Sequence, residues 1–269
     1  MTAAPLRAGN AATAAAGARP AAAPPLPPVI GHRGAALSAP ENTLGAMRKA
    51  KALGARWVEF DVRLSGDGEC IILHDDTIDR TTDGTGEAAR LSLEALRRYD
   101  AGAWFSPEFA GERIPTLAEI VSLLGTLGLG ANVEIKPAAG QERATARAAV
   151  ELLRRRWPAE LPAPLLSSFA PEALDAAREA APEMARGYLF GRLPADWQAR
   201  TEALACATVH CDGRDLTRPQ VEAVRGAGYP LLVYTVNDAA RARELMAWGA
   251  SALFSDCPDR ILAGLEQVT

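Results

Sequence analysis

The sequence lacks the usual marks of membrane, metal-thiolate and nucleic-acid proteins. None of its 269 residues falls in a run approaching the roughly 20 apolar residues of a membrane span. Positive charge is not in excess: 29 Lys and Arg face 33 Asp and Glu, a net charge of −4, so no nucleic-acid partner is expected. The four cysteines, Cys70, Cys206, Cys211 and Cys257, form no CxxC pair. They read as small buried hydrophobes in a reducing compartment, which makes the expected location cytoplasmic. Histidine is scarce, with three in the chain, and two of them, His32 and His74, each close an apolar run.

Residues 1–28 differ from the rest. They are nearly all Ala, Pro and Gly, with two arginines and no acids. A segment this poor in β-branched and aromatic residues is expected to be a disordered extension. Asn10, Thr13, Gly17 and Arg19 interrupt its Ala run, so it lacks the apolar stretch of an export signal.

From residue 29 onward, short apolar runs alternate with longer amphipathic ones. Strands are expected at 29–32, 57–63, 131–135, 164–169, 185–189, 206–211, 230–235 and 251–255. Helices are expected at 41–54, 116–127, 141–157, 171–181, 195–204, 218–227, 238–248 and 258–266. Eight alternating pairs over 29–269 predict one α/β domain, a (β/α)8 TIM barrel. Asp238 reads as a helix cap, and so does Asp256, just ahead of Cys257 and Pro258. One segment breaks the rhythm. Strand 57–64 turns at Ser65-Gly66-Asp67-Gly68 and returns as 69–74, a hairpin. Residues of about 75–115 then read as a small insertion after the second barrel strand, at the end of the barrel where catalytic loops gather. Its Trp104, Phe105 and Phe109 form either an apolar rim or the packing of the insertion.

Side chains alternate along a strand, so Glu59, Asp61 and Arg63 share one face, and Asn132, Glu134 and Lys136 share another. Charges facing a barrel interior are costly unless they pair or hold a cation. Arg63 could neutralise Asp61, and Lys136 could pair with Glu134. Convergence of Glu59, Asp61 and Glu134 instead favours one hard cation, Mg²⁺ or Ca²⁺, since the set contains no thiolate. His32 lies at a strand-to-loop junction before Arg33 and Gly34. Arg33 can grip a phosphate through two parallel N–H bonds, Lys136 adds positive charge, and Gly34 permits close backbone approach to a ligand. His210, on an apolar strand, reads as structural. Two bases, three carboxylates and two cations at strand ends predict metal-assisted phosphoryl chemistry.

The motifs His32-Arg33-Gly34, Pro40-Glu41-Asn42-Thr43, Glu59-Phe60-Asp61-Val62, His74-Asp75-Asp76, Arg80-Thr81-Thr82, Gly84-Thr85-Gly86, Glu134-Ile135-Lys136-Pro137, Ser167-Ser168-Phe169 and Tyr234-Thr235-Val236-Asn237 resemble the glycerophosphodiester phosphodiesterase family, in its soluble bacterial cytosolic branch. The resemblance covers essentially all of 29–269. It implies a (β/α)8 barrel that hydrolyses glycerophosphodiesters to sn-glycerol 3-phosphate and an alcohol, with Glu59, Asp61 and Glu134 as metal ligands. It implies His32 and His74 as the acid/base pair, Arg33 and Lys136 on phosphate oxygens, and Phe169 and Tyr234 lining the glycerol or leaving-group side. Many relatives carry Trp where Tyr234 stands, which keeps an aromatic wall. The implied partner is a small glycerophosphodiester, handled by a monomer or homodimer. Two other readings compete: a barrel lysophospholipase D acting on lipids, and a phosphate-binding barrel without catalysis.

Overall fold

The computed structural model describes residues 20–266. Nine strands occur among them: β1 Val29–Gly31, β2 Trp57–Leu64, β3 Cys70–Ile72, β4 Gly130–Ile135, β5 Leu165–Ser168, β6 Arg186–Phe190, β7 Thr208–Asp212, β8 Leu231–Tyr234 and β9 Ala252–Ser255. Eight of them run parallel in the order β1-β2-β4-β5-β6-β7-β8-β9, and β9 pairs with β1 to close the barrel. β3 hangs antiparallel on β2, with Val62 opposite Ile72 and Leu64 opposite Cys70. The protein is therefore the (β/α)8 barrel that the alternation predicts.

Helices fill the predicted gaps: α1 Leu44–Ala52, α3 Leu117–Leu127, α4 Glu142–Arg156, α5 Pro171–Ala180, α6 Trp197–Ala203, α7 Arg218–Gly226, α8 Ala239–Trp248 and α9 Pro258–Glu266, with a short α2, Leu93–Leu96, inside the insertion. Local caps fix several boundaries. Thr43 accepts the Ala46 N–H at the start of α1, and Asp238 accepts that of Arg241 at the start of α8. Asp256 does not cap α9, because its carboxylate is used elsewhere. The helices bury one face each against the sheet, where Val58, Phe60, Val62, Val133 and Ile135 form the outward layer of β2 and β4. No helix of the described residues is long and apolar enough to cross a membrane.

Inside the barrel, the strand N-terminal ends carry an apolar plug of Ile30, Trp57, Leu165, Leu232, Ala252 and Phe254. The chain ahead of β1 departs from expectation here. Ala21, Ala23 and Leu26 pack against this plug, and Pro28 accepts the Leu253 N–H at 2.9 Å. The expectation of disorder thus fails for 20–28, because an open barrel floor offers apolar surface to a proline-stiffened chain. Residues 1–19 lie outside the described residues. A chain starting at residue 29 is expected to melt about 3–8 °C below one starting at residue 20, given about 1–3 kcal/mol for partial burial of Leu26 and its neighbours. Coincident melting curves for the two chains would show that the segment contributes nothing.

The insertion has a small core of its own: Ile71, Leu73, Ile78, Ala88, Leu96, Ala101 and Ile114. Phe105 meets both Trp104 and Phe109 edge-on at 5.7 Å between centroids, so these rings pack the insertion, although Trp104 keeps 40% of its surface exposed.

Candidate active site

The strand C-terminal ends surround a pocket of about 340 Å³. His32, Arg33, Glu59, His74, Glu134 and Lys136 line it, and Phe169 and Tyr234 form an aromatic wall. Their rings meet edge-on at 6.0 Å, and the Tyr234 hydroxyl donates to the Phe190 carbonyl at 2.8 Å.

In register, Asp61 pairs with Glu134 across β2 and β4. One carboxylate oxygen from each of Glu59, Asp61 and Glu134 lies within 4.8 Å of the others. Asn42 fixes Asp61 from two sides: its Nδ2 donates to Oδ2 at 2.8 Å, and its Oδ1 accepts the Asp61 N–H at 3.3 Å. The Arg33 N–H donates to Glu59 Oε2 at 2.9 Å, while Glu59 Oε1 is buried with no partner. Lys136 Nζ sits 3.1 Å from Glu134 and 3.5 Å from Asp61.

Each pocket histidine leans on a carboxylate through Nδ1. His32 meets Asp256 at 2.7 Å, and His74 meets Asp75 at 2.6 Å. Nε2 of His32 then lies 3.8 Å from Glu59. Arg80, from the insertion, joins the two halves of the site. It donates to Asp75 at 2.6 Å and to Glu41 at 2.7 Å, and Glu41 in turn accepts from Arg33 at 2.7 Å.

Comparison with known proteins gives this arrangement a context. A sequence model of the glycerophosphoryl diester phosphodiesterase family matches residues 32–260. The chain belongs to that family. A glycerophosphodiester phosphodiesterase of Caldanaerobacter subterraneus is 33% identical over 242 residues, covering 87% of this chain and 96% of that protein. An Oleispira antarctica phosphodiesterase, solved in complex with the product sn-glycerol-3-phosphate, superposes with a TM-score of 0.88 at 43% identity, over 90% of this chain and 97% of that one. A glycerophosphodiester phosphodiesterase from Agrobacterium tumefaciens gives a TM-score of 0.72 at 28% identity, over 88% and 100% of the two chains.

The charges of this site act strongly on one another. Burial, and then the neighbouring Asp61 carboxylate, push the Glu59 carboxyl up to about 8. The same two causes raise Glu134. Burial would raise Asp61 as well, but Lys136 and Arg33 outweigh it and hold Asp61 well below the usual carboxylate range. His32 is raised: burial opposes its charged form, and the Asp256 hydrogen bond with nearby Glu59 overcomes it. His74 is lowered by burial, which Arg33 and Lys136 reinforce against Asp61 and Asp75. Three crowded carboxylate oxygens, one orphaned buried Oε1 and no thiolate are a donor set that fits a hard divalent cation.

All nine expected site residues border this pocket or its carboxylate cluster. Three expectations change. Arg63 does not neutralise Asp61; its guanidinium donates to the His74 carbonyl at 2.8 and 3.0 Å and to Asp76 at 2.6 Å, anchoring the turn that carries His74. Gly34 takes on a packing role that its sequence context does not predict: its φ is +89°, and a Cβ there would lie 2.7 Å from the Ala46 backbone in α1. Asp256 is an orienting partner of His32. Sequence reasoning assigned no role to Glu41, Asn42, Asp75 or Arg80, although each stands in a quoted motif. The adjacency of His74 and Asp75 is a readable signal. Asp256 lies 224 residues from His32 and offers none.

Proposed function

We propose that this pocket hydrolyses glycerophosphodiesters to sn-glycerol 3-phosphate and an alcohol by histidine acid/base catalysis with a divalent cation, Mg²⁺ or Ca²⁺. The observation that carries the reading is the pair of carboxylate-backed histidines in a single pocket with three clustered carboxylates, Arg33 and Lys136. Glu59, Asp61 and Glu134 would hold the cation, which when bound supplies charge neutralisation at the phosphate and Lewis acidity. Arg33 and Lys136 bind the phosphate oxygens and offset the charge that develops on them. The environments of the histidines push their affinities for protons apart, which supports distinct roles. His74, lowered, accepts the proton of the attacking hydroxyl at Nε2, whether from water or from the glycerol 2-hydroxyl. His32, raised, delivers a proton from Nε2 to the leaving alkoxide. Asp256 and Asp75 each hold one ring by Nδ1 and so fix which nitrogen faces the substrate.

The aromatic wall of Phe169 and Tyr234 gives an apolar side to the glycerol or the alcohol. All four cysteines are buried and free, which supports a reducing, cytoplasmic setting. Direct assay is the test: released sn-glycerol 3-phosphate is measured from glycerophosphocholine and from lysophosphatidylcholine, with each cation. Turnover of the first, with little of the second, is expected. Preference for the lipid substrate would favour the lysophospholipase D reading, and binding without turnover would favour a non-catalytic barrel.

A further inference from the structure

Arg80 spans two carboxylates that the site already uses. It lies in the insertion, just beyond His74, and its guanidinium makes four hydrogen bonds. Nη1 and Nη2 donate to Glu41 Oε2 and Oε1 at 2.7 and 2.8 Å. Nε and Nη2 donate to Asp75 Oδ2 and Oδ1 at 2.6 and 3.1 Å. Each carboxylate is shared with a pocket residue through the oxygen that Nη2 reaches. Glu41 Oε1 also accepts from Arg33 Nη1 at 2.7 Å, and Asp75 Oδ1 lies 2.6 Å from His74 Nδ1. One guanidinium thus ties Arg33, which follows β1, to His74, which follows β3.

An exposed ion pair is worth little by itself, and nearly half of the Arg80 side chain is open to solvent. This arrangement differs in two respects. The guanidinium meets both carboxylates as a fork, a geometry that arginine can hold and lysine cannot. The backbone behind it is also fixed. The Ile78 N–H donates to the Gly86 carbonyl at 3.0 Å, the Gly86 N–H to Asp79 Oδ1 at 2.7 Å, and the Thr82 hydroxyl to the Ile78 carbonyl at 2.8 Å. Thr81 and Thr82 are buried. The side chain therefore leaves a closed turn and not a loose loop. Its two acceptors stay charged. Arg80 pushes the Asp75 carboxyl down to about 2. At Glu41 burial acts the other way, but Arg80 and Arg33 outweigh it and hold the carboxyl below its usual range.

We propose that Arg80 is a positioning residue for the hydrolysis: through Glu41 and Asp75 it sets the guanidinium of Arg33 and the ring of His74 in one mutual geometry. The proposal rests on the reading of Arg33 as a phosphate ligand and of His74 as the base. Arg80 does not line the pocket, so it acts through these partners and not on the substrate. Arg33 Nε lies 3.5 Å from Asp61 and makes no hydrogen bond, which leaves Glu41 as the carboxylate that fixes how the guanidinium is turned. Without Arg80, Glu41 and Asp75 would each keep one partner and regain rotamer freedom. A misplacement of about 1 Å in groups that bind or react can cost about 10²-fold in rate.

The experiment measures kcat and KM for sn-glycero-3-phosphocholine in the full chain, in Arg80→Ala and Arg80→Lys, and in Glu41→Gln/Asp75→Asn with and without Arg80→Ala. Arg80→Ala is expected to lower kcat/KM by about 10- to 100-fold, with a fall in kcat as well as a rise in KM. Arg80→Lys should lose most of the same activity, because an ammonium cannot fork onto two carboxylates. It also carries the test should Arg80→Ala fail to fold. In the background without the two carboxylates, Arg80→Ala should cost less than about threefold. A lysine variant close to wild type would overturn the proposal, by reducing Arg80 to a positive charge. A rise in KM alone that added salt abolishes would do the same, by assigning Arg80 to long-range attraction of the phosphate. A full further loss in the carboxylate-free background would also overturn it, since Arg80 would then act on the substrate itself. A lowered Tm with unchanged kcat and KM would assign Arg80 to stability alone. No wild-type turnover would instead overturn the functional reading, and the proposal with it.

Discussion

His32→Ala and His74→Ala are each expected to lower kcat by about 10²–10⁴-fold while the barrel stays folded. Both rings sit at the rim of the strands and outside the hydrophobic clusters, so their removal opens no core cavity. The two variants should differ in how the leaving group affects them. An activated diester with a p-nitrophenol leaving group needs no proton on departure. His32→Ala should recover most of its activity on that substrate, and His74→Ala should not. Equal defects of the two variants on both substrates would refute the division of roles. The pH profile gives a second check through Asp256. This carboxylate helps to raise His32, and a proton donor must stay protonated to act. Asp256→Asn lowers the affinity of His32 for its proton, so the alkaline limb of activity should move to lower pH. A fixed alkaline limb with a lower kcat would assign Asp256 to structure.

Chelation of divalent cations should abolish activity, and Mg²⁺ or Ca²⁺ should restore it. Without a cation, burial first and then the crowding of Asp61 and Glu134 drive Glu59 up to about 8. A cation must expel that proton. Binding should therefore tighten as pH rises toward 8, by up to about tenfold per unit, with proton release. Titration calorimetry at pH 6, 7 and 8, in buffers of different ionisation enthalpy, measures both quantities. Glu59→Gln replaces an anionic hard ligand by a neutral amide, so it should weaken binding and remove most of the pH dependence. Full activity in metal-free buffer would reject the cation site outright.

The fold was legible because a (β/α)8 barrel is written in local periodicity. Each strand is a short apolar run and each helix an amphipathic one, and these patterns depend on near neighbours in the chain. The alternation along Trp57–Arg63 and Asn132–Lys136 likewise predicts which side chains face inward. The parallel pairing of β2 with β4 then brings Asp61 opposite Glu134. Segment 20–28 was misread because its composition carries no signal of what it covers. An Ala- and Pro-rich chain becomes ordered when an apolar barrel floor lies beside it.

The sequence by itself determined the strand order, the inward faces, and the histidines, carboxylates and cations at the strand ends. Only the tertiary structure decided how those groups are held. Closure of β9 against β1 brings Asp256 to His32. Folding of the insertion over the barrel carries Arg80 to Glu41 and Asp75. Packing of α1 assigns Gly34 to the backbone of Ala46. The enclosed interior leaves His210 and Asn132 each with one unpartnered atom. The physical reason is range: side-chain alternation is set within a few residues of the chain, whereas hydrogen-bond partners, burial and proton affinity depend on groups brought near by closure of the barrel.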